Sequence, residues 1–128
     1  MNILFDTHTF LWFIEGDDAL SSRARNEIKT IRNGVFLSAV SYWEICLKIS
    51  IGKLRLSELW QKTIELSLSE NGIKWMDIKK EHLNGIVDLP WHHRDPFDRL
   101  LIAQAIAEEC VLCSADKDIS SYAIEILA

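Results

Sequence analysis

Asn2-Ile3-Leu4-Phe5-Asp6-Thr7 changes character abruptly: a short apolar run ends in an acid and a hydroxyl, and apolar residues then recur at Phe10, Leu11, Phe13 and Ile14. A buried strand feeding a helix is expected. Val35-Phe36-Leu37-Ser38 repeats the pattern, with Ser41-Tyr42-Trp43-Glu44 opening a helix that runs to about Ser50, before Gly52. Between them, Ser21 and Ser22 precede a surface helix over Arg23 to Ile31, stopped by Asn33-Gly34. Further along, Leu56 to Asn71 has helical spacing and ends at Gly72, and Ile73-Lys74-Trp75-Met76 reads as a third strand. A short helix over Lys79 to Val87 and a loop over Leu89 to Arg94 lead into Asp95-Pro96-Phe97-Asp98, which starts a strongly apolar helix to Ala107. Val111-Leu112-Cys113 is another strand, and Ile124 to Leu127 an edge strand. Continuous apolar strands alternating with helices predict a three-layer α/β/α sandwich around a central, largely parallel sheet.

The chain has 128 residues, the size of one domain, so residues 1–128 are expected to share a single fold. Hydrophobic residues are 48% and charged residues 26%, ordinary for a globular protein. Charges interrupt every apolar stretch well short of a membrane span, and MNILFD has no basic leader, which points to the cytosol. Three cysteines, Cys46, Cys110 and Cys113, are read as free thiols. Strand alternation aims Cys110 and Cys113 to opposite faces, so their C-x-x-C spacing is read as core packing. A net charge of −5 argues against nonspecific coating of nucleic acid. It is compatible with a site made of carboxylates, whose bound cations supply the missing positive charge.

In an open parallel sheet, ligands gather beyond the carboxyl ends of the strands. Asp6 ends the first strand, and Asp116 closely follows the Val111 strand. Glu44 and Asp98 are expected in the first turns of their helices, where the helix dipole favours a carboxylate. Oxygen donors without histidine or cysteine match Mg²⁺ or Mn²⁺ and the hydrolysis of phosphodiesters. Each acid also has a structural reading. Ser41-x-x-Glu44 has capping-box spacing, Asp6 has a turn role open to it, and Asp116 has a rival in Asp118. Asp95, before Pro96, is the natural N-cap of its helix. Asp98 shares a face with Leu101, Ile102 and Ala105, where an unpaired acid is expensive.

The sequence resembles the PIN domain, and within it the VapC-like ribonuclease toxins of prokaryotic toxin-antitoxin modules. The resemblance is carried by Leu4-Phe5-Asp6-Thr7-His8, by Ser38 to Ile45, by the long run Leu89-Pro90-Trp91-His92-His93-Arg94-Asp95-Pro96-Phe97-Asp98-Arg99 through Ala105, and by Ser114-Ala115-Asp116-Lys117-Asp118. It implies a metal-dependent endoribonuclease with its acids at Asp6, Glu44, Asp98 and Asp116, and a supporting hydroxyl at Ser114. It also implies single-stranded RNA as substrate, a 5′-phosphate product, a cognate antitoxin protein that covers the site, and a homodimer. Asp6, Glu44 and Asp98 are expected to form the principal metal site. Asp116 would then act through water or on a second ion that arrives with substrate.

His92, His93, Arg94 and Arg99 surround the last helix start and are candidate phosphate grips, against a plain reading as solvated or paired loop residues. Lys48 is placed to pair with Glu44. The five tryptophans are read first as core, with Trp43 and Trp91 as alternatives for stacking on RNA or a partner. Three rival readings remain: an aspartyl-phosphate phosphatase, which wants D-x-D where Asp6-Thr7-His8 stands; a phospho-receiver-like domain; and a catalytically silent interaction module.

Overall fold

A computed structural model describes residues 1–128. Five strands form one sheet in the order β3-β2-β1-β4-β5, every neighbouring pair parallel: β1 Asn2–Phe5, β2 Gly34–Ser38, β3 Ile73–Met76, β4 Val111–Cys113 and β5 Ile126–Leu127. The helices are α1 Thr7–Glu15, α2 Ser22–Lys29, α3 Ala39–Ser50, α4 Trp60–Asn71, α5 Lys80–Ile86 and α6 Pro96–Ala107.

Strand alternation divides the interior in two. Ile3, Phe5, Val35 and Leu37 face a core completed by α1, α2 and α4, whereas Leu4 and Leu112 face a core completed by α6. Cys113 belongs to the first core and Cys110 to the second, so the two thiols lie on opposite faces and all three cysteines are free. No helix is long and apolar enough to cross a membrane.

Two helices are shorter than their sequence patterns. The chain leaves α2 at Thr30, whose hydroxyl donates to the Asn26 carbonyl, while the Asn33 amide reaches the Glu27 carbonyl; Ile31 is left fully exposed. The Leu56 periodicity is taken up by α4 only from Trp60, after a turn closed by Trp60 N–H on the Ser57 carbonyl.

The order of strands fixes where a ligand can sit. From β1 the chain moves outward to β2 and β3, then crosses back past β1 to β4, so the direction reverses at β1. The crevice of a parallel sheet opens at that reversal, beyond the carboxyl ends of β1 and β4. A receiver domain orders its strands 2-1-3-4-5, so the receiver-like reading is excluded by the sheet.

Candidate active site

Asp6 stands at the end of β1 with extended backbone and caps α1, its Oδ1 accepting from Thr9 N–H at 2.8 Å and from the Thr9 hydroxyl at 2.7 Å. The turn role open to Asp6 is therefore filled, as an N-cap. Its own N–H donates to the Cys113 carbonyl, which binds it to β4 as well. The carboxyl is only 4% exposed. Burial raises its pKa, opposed by the donors of Thr9, the Ser114 hydroxyl and the charge of His8.

Glu44 comes from above. The sequence predicts Ser41 as cap of α3, but the helix begins earlier: Ser38, the last residue of β2, accepts from Val40 N–H at 3.0 Å. The strand runs directly into the helix, so Ser41 is internal, and its buried hydroxyl finds no partner. Glu44 is consequently in the second turn and cannot serve as a capping-box acid. It is 3% exposed, with Oε1 accepting from the Thr7 hydroxyl at 2.5 Å and Oε2 from the Lys48 ammonium.

Asp98 is the third residue of α6, behind Asp95, whose Oδ1 accepts from both Phe97 and Asp98 N–H. Trp43 packs edge-on against Phe97 with centroids 4.7 Å apart, fastening α3 to α6 beside Glu44 and Asp98. The Asp98 carboxyl is pushed up to about 7 by burial first, then by the charge of Asp95, with Asp6 and Glu44 adding to it and a His93 hydrogen bond opposing. Asp98 thus senses the charge of both Asp6, which follows β1, and Glu44 of α3, so the three acids lie within electrostatic reach at one sheet edge.

Ser114, just after β4, is buried and receives Asp116 N–H on its hydroxyl at 3.1 Å. Asp116 itself is exposed, and its Oδ1 accepts from Asp118 N–H at 2.9 Å. The fold sets Ser114 against Asp6, puts Glu44 and Asp98 within electrostatic reach, and leaves Asp116 and Asp118 exposed.

A family model described as the PIN domain matches residues 3–125. The chain belongs to the PIN-domain family. Its fold matches, over 99% of its length and 98% of the other chain, a crystal structure of VapBC2 from Rickettsia felis bound to a DNA fragment from their promoter, with TM-score 0.76 and 16% identity. A toxin-antitoxin complex from Klebsiella pneumoniae matches 98% of this chain and 96% of that one, with TM-score 0.65 and 16% identity. VapBC-1 from nontypeable Haemophilus influenzae gives TM-score 0.66 at 13% identity, covering 99% and 97%. At such identities the likeness is one of fold. The curated proteins give no match to this sequence.

The cations around this PIN domain's acids differ in availability. His92 and Arg94 are exposed. Arg99, expected among the phosphate grips, is only 2% exposed and already saturated: it donates to the Pro90 carbonyl at 2.7 Å, the Leu89 carbonyl at 3.1 Å and the Tyr122 hydroxyl at 3.0 Å. Its guanidinium also lies 3.7 Å from the Trp91 ring centroid. It is a strut for the loop before α6, because a buried guanidinium needs its donors filled by the protein. His93 is engaged with Asp98 and Tyr122, and is likewise not free for phosphate.

Thr7, Thr9 and Tyr122 serve the site without having been singled out from sequence. Thr7 is visible as a hydroxyl next to Asp6 and Thr9 as one three residues on, whereas Tyr122 carries no local signal. Of the tryptophans read as core, Trp43, Trp75 and Trp91 are substantially exposed.

The donor set fits a hard divalent cation. The oxygens available are carboxylate ones, Asp6 and Glu44 act on Asp98 as like charges, and Lys48 is the one ammonium in contact with the acids. Glu81, His82 and Glu108 are the one group of three potential ligands whose donor atoms lie within 4.8 Å of one another, but Lys79 N–H occupies His82 Nδ1 and the Lys79 ammonium pairs with Glu108. That group ties α5 to the end of α6.

Proposed function

We propose that this PIN domain is a metal-dependent endoribonuclease, the toxin of a toxin-antitoxin module, working with Mg²⁺ or Mn²⁺. The observation that carries the reading is the burial of two acids, Asp6 and Glu44, at the ligand-binding edge of a parallel sheet, within electrostatic reach of Asp98. A divalent cation bound there would relieve their repulsion.

Asp6, Glu44 and Asp98 are the cation's ligands in this reading. Bound there, a divalent cation supplies positive charge against the phosphate and makes water a usable nucleophile at neutral pH. Thr9 holds the Asp6 carboxylate in one rotamer, and Thr7 and Lys48 hold the two oxygens of Glu44, so the acids are preorganised before substrate arrives. Asp116 would hold the same cation through water or a second cation that arrives with substrate, with Ser114 supporting Asp6 and Asp118 fixing the Asp116 loop. His92 and Arg94, both exposed, grip flanking phosphates. The substrate is RNA, single-stranded where it is cut, and the product carries a 5′-phosphate. A cognate antitoxin covers the edge, the protein acts as a homodimer, and it works in the cytosol. Similarity of fold to VapBC and other toxin-antitoxin complexes supports the partner.

Purified protein, freed of any copurifying partner, is incubated with mixed cellular RNA in Mg²⁺ or Mn²⁺, beside EDTA and Asp98→Asn controls. Discrete cleavage that needs both metal and Asp98 is expected. Absence of both cleavage and metal binding would leave the silent interaction module.

A further inference from the structure

His93 sits between Asp98 and a residue far along the chain. Its Nε2 lies 3.3 Å from Asp98 Oδ2, and its Nδ1 lies 2.9 Å from the Tyr122 hydroxyl. Which ring nitrogen carries the proton follows from what else Tyr122 touches. The Tyr122 oxygen accepts from the Arg99 guanidinium at 3.0 Å and, more loosely, from His93 N–H at 3.3 Å. Its one proton must be donated, and the choices are His93 Nδ1 at 2.9 Å or the His93 carbonyl at 3.5 Å. The shorter contact makes Nδ1 an acceptor, so a neutral ring keeps its hydrogen on Nε2 and donates it to Asp98. A ring protonated on both nitrogens would aim a further donor at an oxygen already receiving from Arg99.

We propose that His93 is the positioning residue for the Asp98 carboxylate, held in its Nε2–H tautomer by a relay that begins at the buried Arg99 and passes through Tyr122. The inference rests on the reading of Asp98 as a metal ligand. Arg99 contributes twice. Its bonds to the Leu89 and Pro90 carbonyls and its stack on Trp91 fix the loop that carries His93, and its charge polarises the Tyr122 hydroxyl as a donor. Tyr122 follows β4 on a short 3-10 turn at Ile119–Ser121, and is 4% exposed, with the His92 ring edge-on to it at 4.7 Å. The relay therefore joins the α6 start to the segment after β4, across the crevice mouth. Held at Oδ2, the carboxylate has one rotamer and one oxygen left for a cation. Partners of this kind behind a ligating group typically contribute about 10- to 100-fold in metal affinity.

Two measurements test the relay without reference to RNA cleavage. Side-chain nitrogen NMR of the metal-free protein should report the Nε2–H tautomer of His93, and Tyr122→Phe should keep that tautomer while moving the Nδ1 resonance toward that of a ring nitrogen without a donor. Mn²⁺ titration followed by electron paramagnetic resonance should show about a 10- to 100-fold loss of affinity in His93→Ala. His93→Gln, whose amide can still donate to Asp98, should recover most of it. Tyr122→Phe should lose less, and adding it to His93→Ala should cost nothing more, since the two act through one chain. An Nδ1–H ring in the wild type, or His93→Ala within twofold of wild-type affinity, overturns the relay. Failure of the wild type to bind Mn²⁺ overturns the metal reading and with it the role given to Asp98, whereas the other two results strike the relay alone.

Discussion

Replacing Asp98 with Asn should stabilise the metal-free protein above neutral pH. The carboxyl is pushed up to about 7 from an ordinary 3.8 by burial and by the charges of Asp95, Asp6 and Glu44. A carboxyl whose folded-state pKa lies above its unfolded value favours the protonated form in the fold. Its contribution is fully present below about pH 4 and is lost as pH rises through about 7. The loss has a ceiling of about 4 kcal/mol, cut to roughly 2 by water at the open edge of the site. Urea denaturation in EDTA at pH 4 and pH 8 measures it. The wild type should lose stability between the two, and Asp98→Asn should lose much less and exceed the wild type at pH 8. Millimolar Mg²⁺ or Mn²⁺ should restore the wild type at pH 8 and leave the variant unchanged, because cation binding to the folded state adds stability by mass action. If Asp98→Asn is the less stable protein at pH 8 in EDTA, the carboxylates are not in electrostatic conflict and the case for a cation there collapses.

Asp6→Asn should abolish RNA cleavage while keeping the far-ultraviolet circular dichroism of the wild type, since an amide oxygen still caps α1; retained cleavage would remove Asp6 from the site. Arg99→Ala should cost about 3 kcal/mol by urea denaturation, through the two carbonyls and the Tyr122 hydroxyl left without their donor, and Arg99→Lys should restore little of it. A loss under 1 kcal/mol would return Arg99 to the pool of free cations. Ser41→Ala, which deletes a buried hydroxyl with no partner, should leave the denaturation midpoint unchanged or raise it. In native protein a thiol reagent should modify exposed Cys46 readily and spare the buried Cys110 and Cys113, pushed up by burial to about 11 and about 12; three equal rates would show that the β4 cores open freely.

Local chemistry decided much of this protein before any folding was considered. The strands, the alternation that separates Cys110 from Cys113, the Asp95 cap ahead of Pro96 and the glycine stop of α4 depend on neighbours a few residues apart, so their signals are written in short windows. The candidate acids were legible for the same reason, since each lies just beyond a strand or early in a helix. What the sequence could not rank was their company. Glu44 and Lys48 are neighbours on one helix, but the bond from Thr7 to Glu44 joins residues from two helices, and the α3 cap shifted to Ser38 because β2 runs straight into the helix. Arg99 looked like its fellow cations in the loop until packing closed over it, and Tyr122 had no reason to be noticed until β4 carried it back to His93. Burial and contacts between distant segments exist only once the sheet has set its order, and they separate a charge held for structure from one held for chemistry.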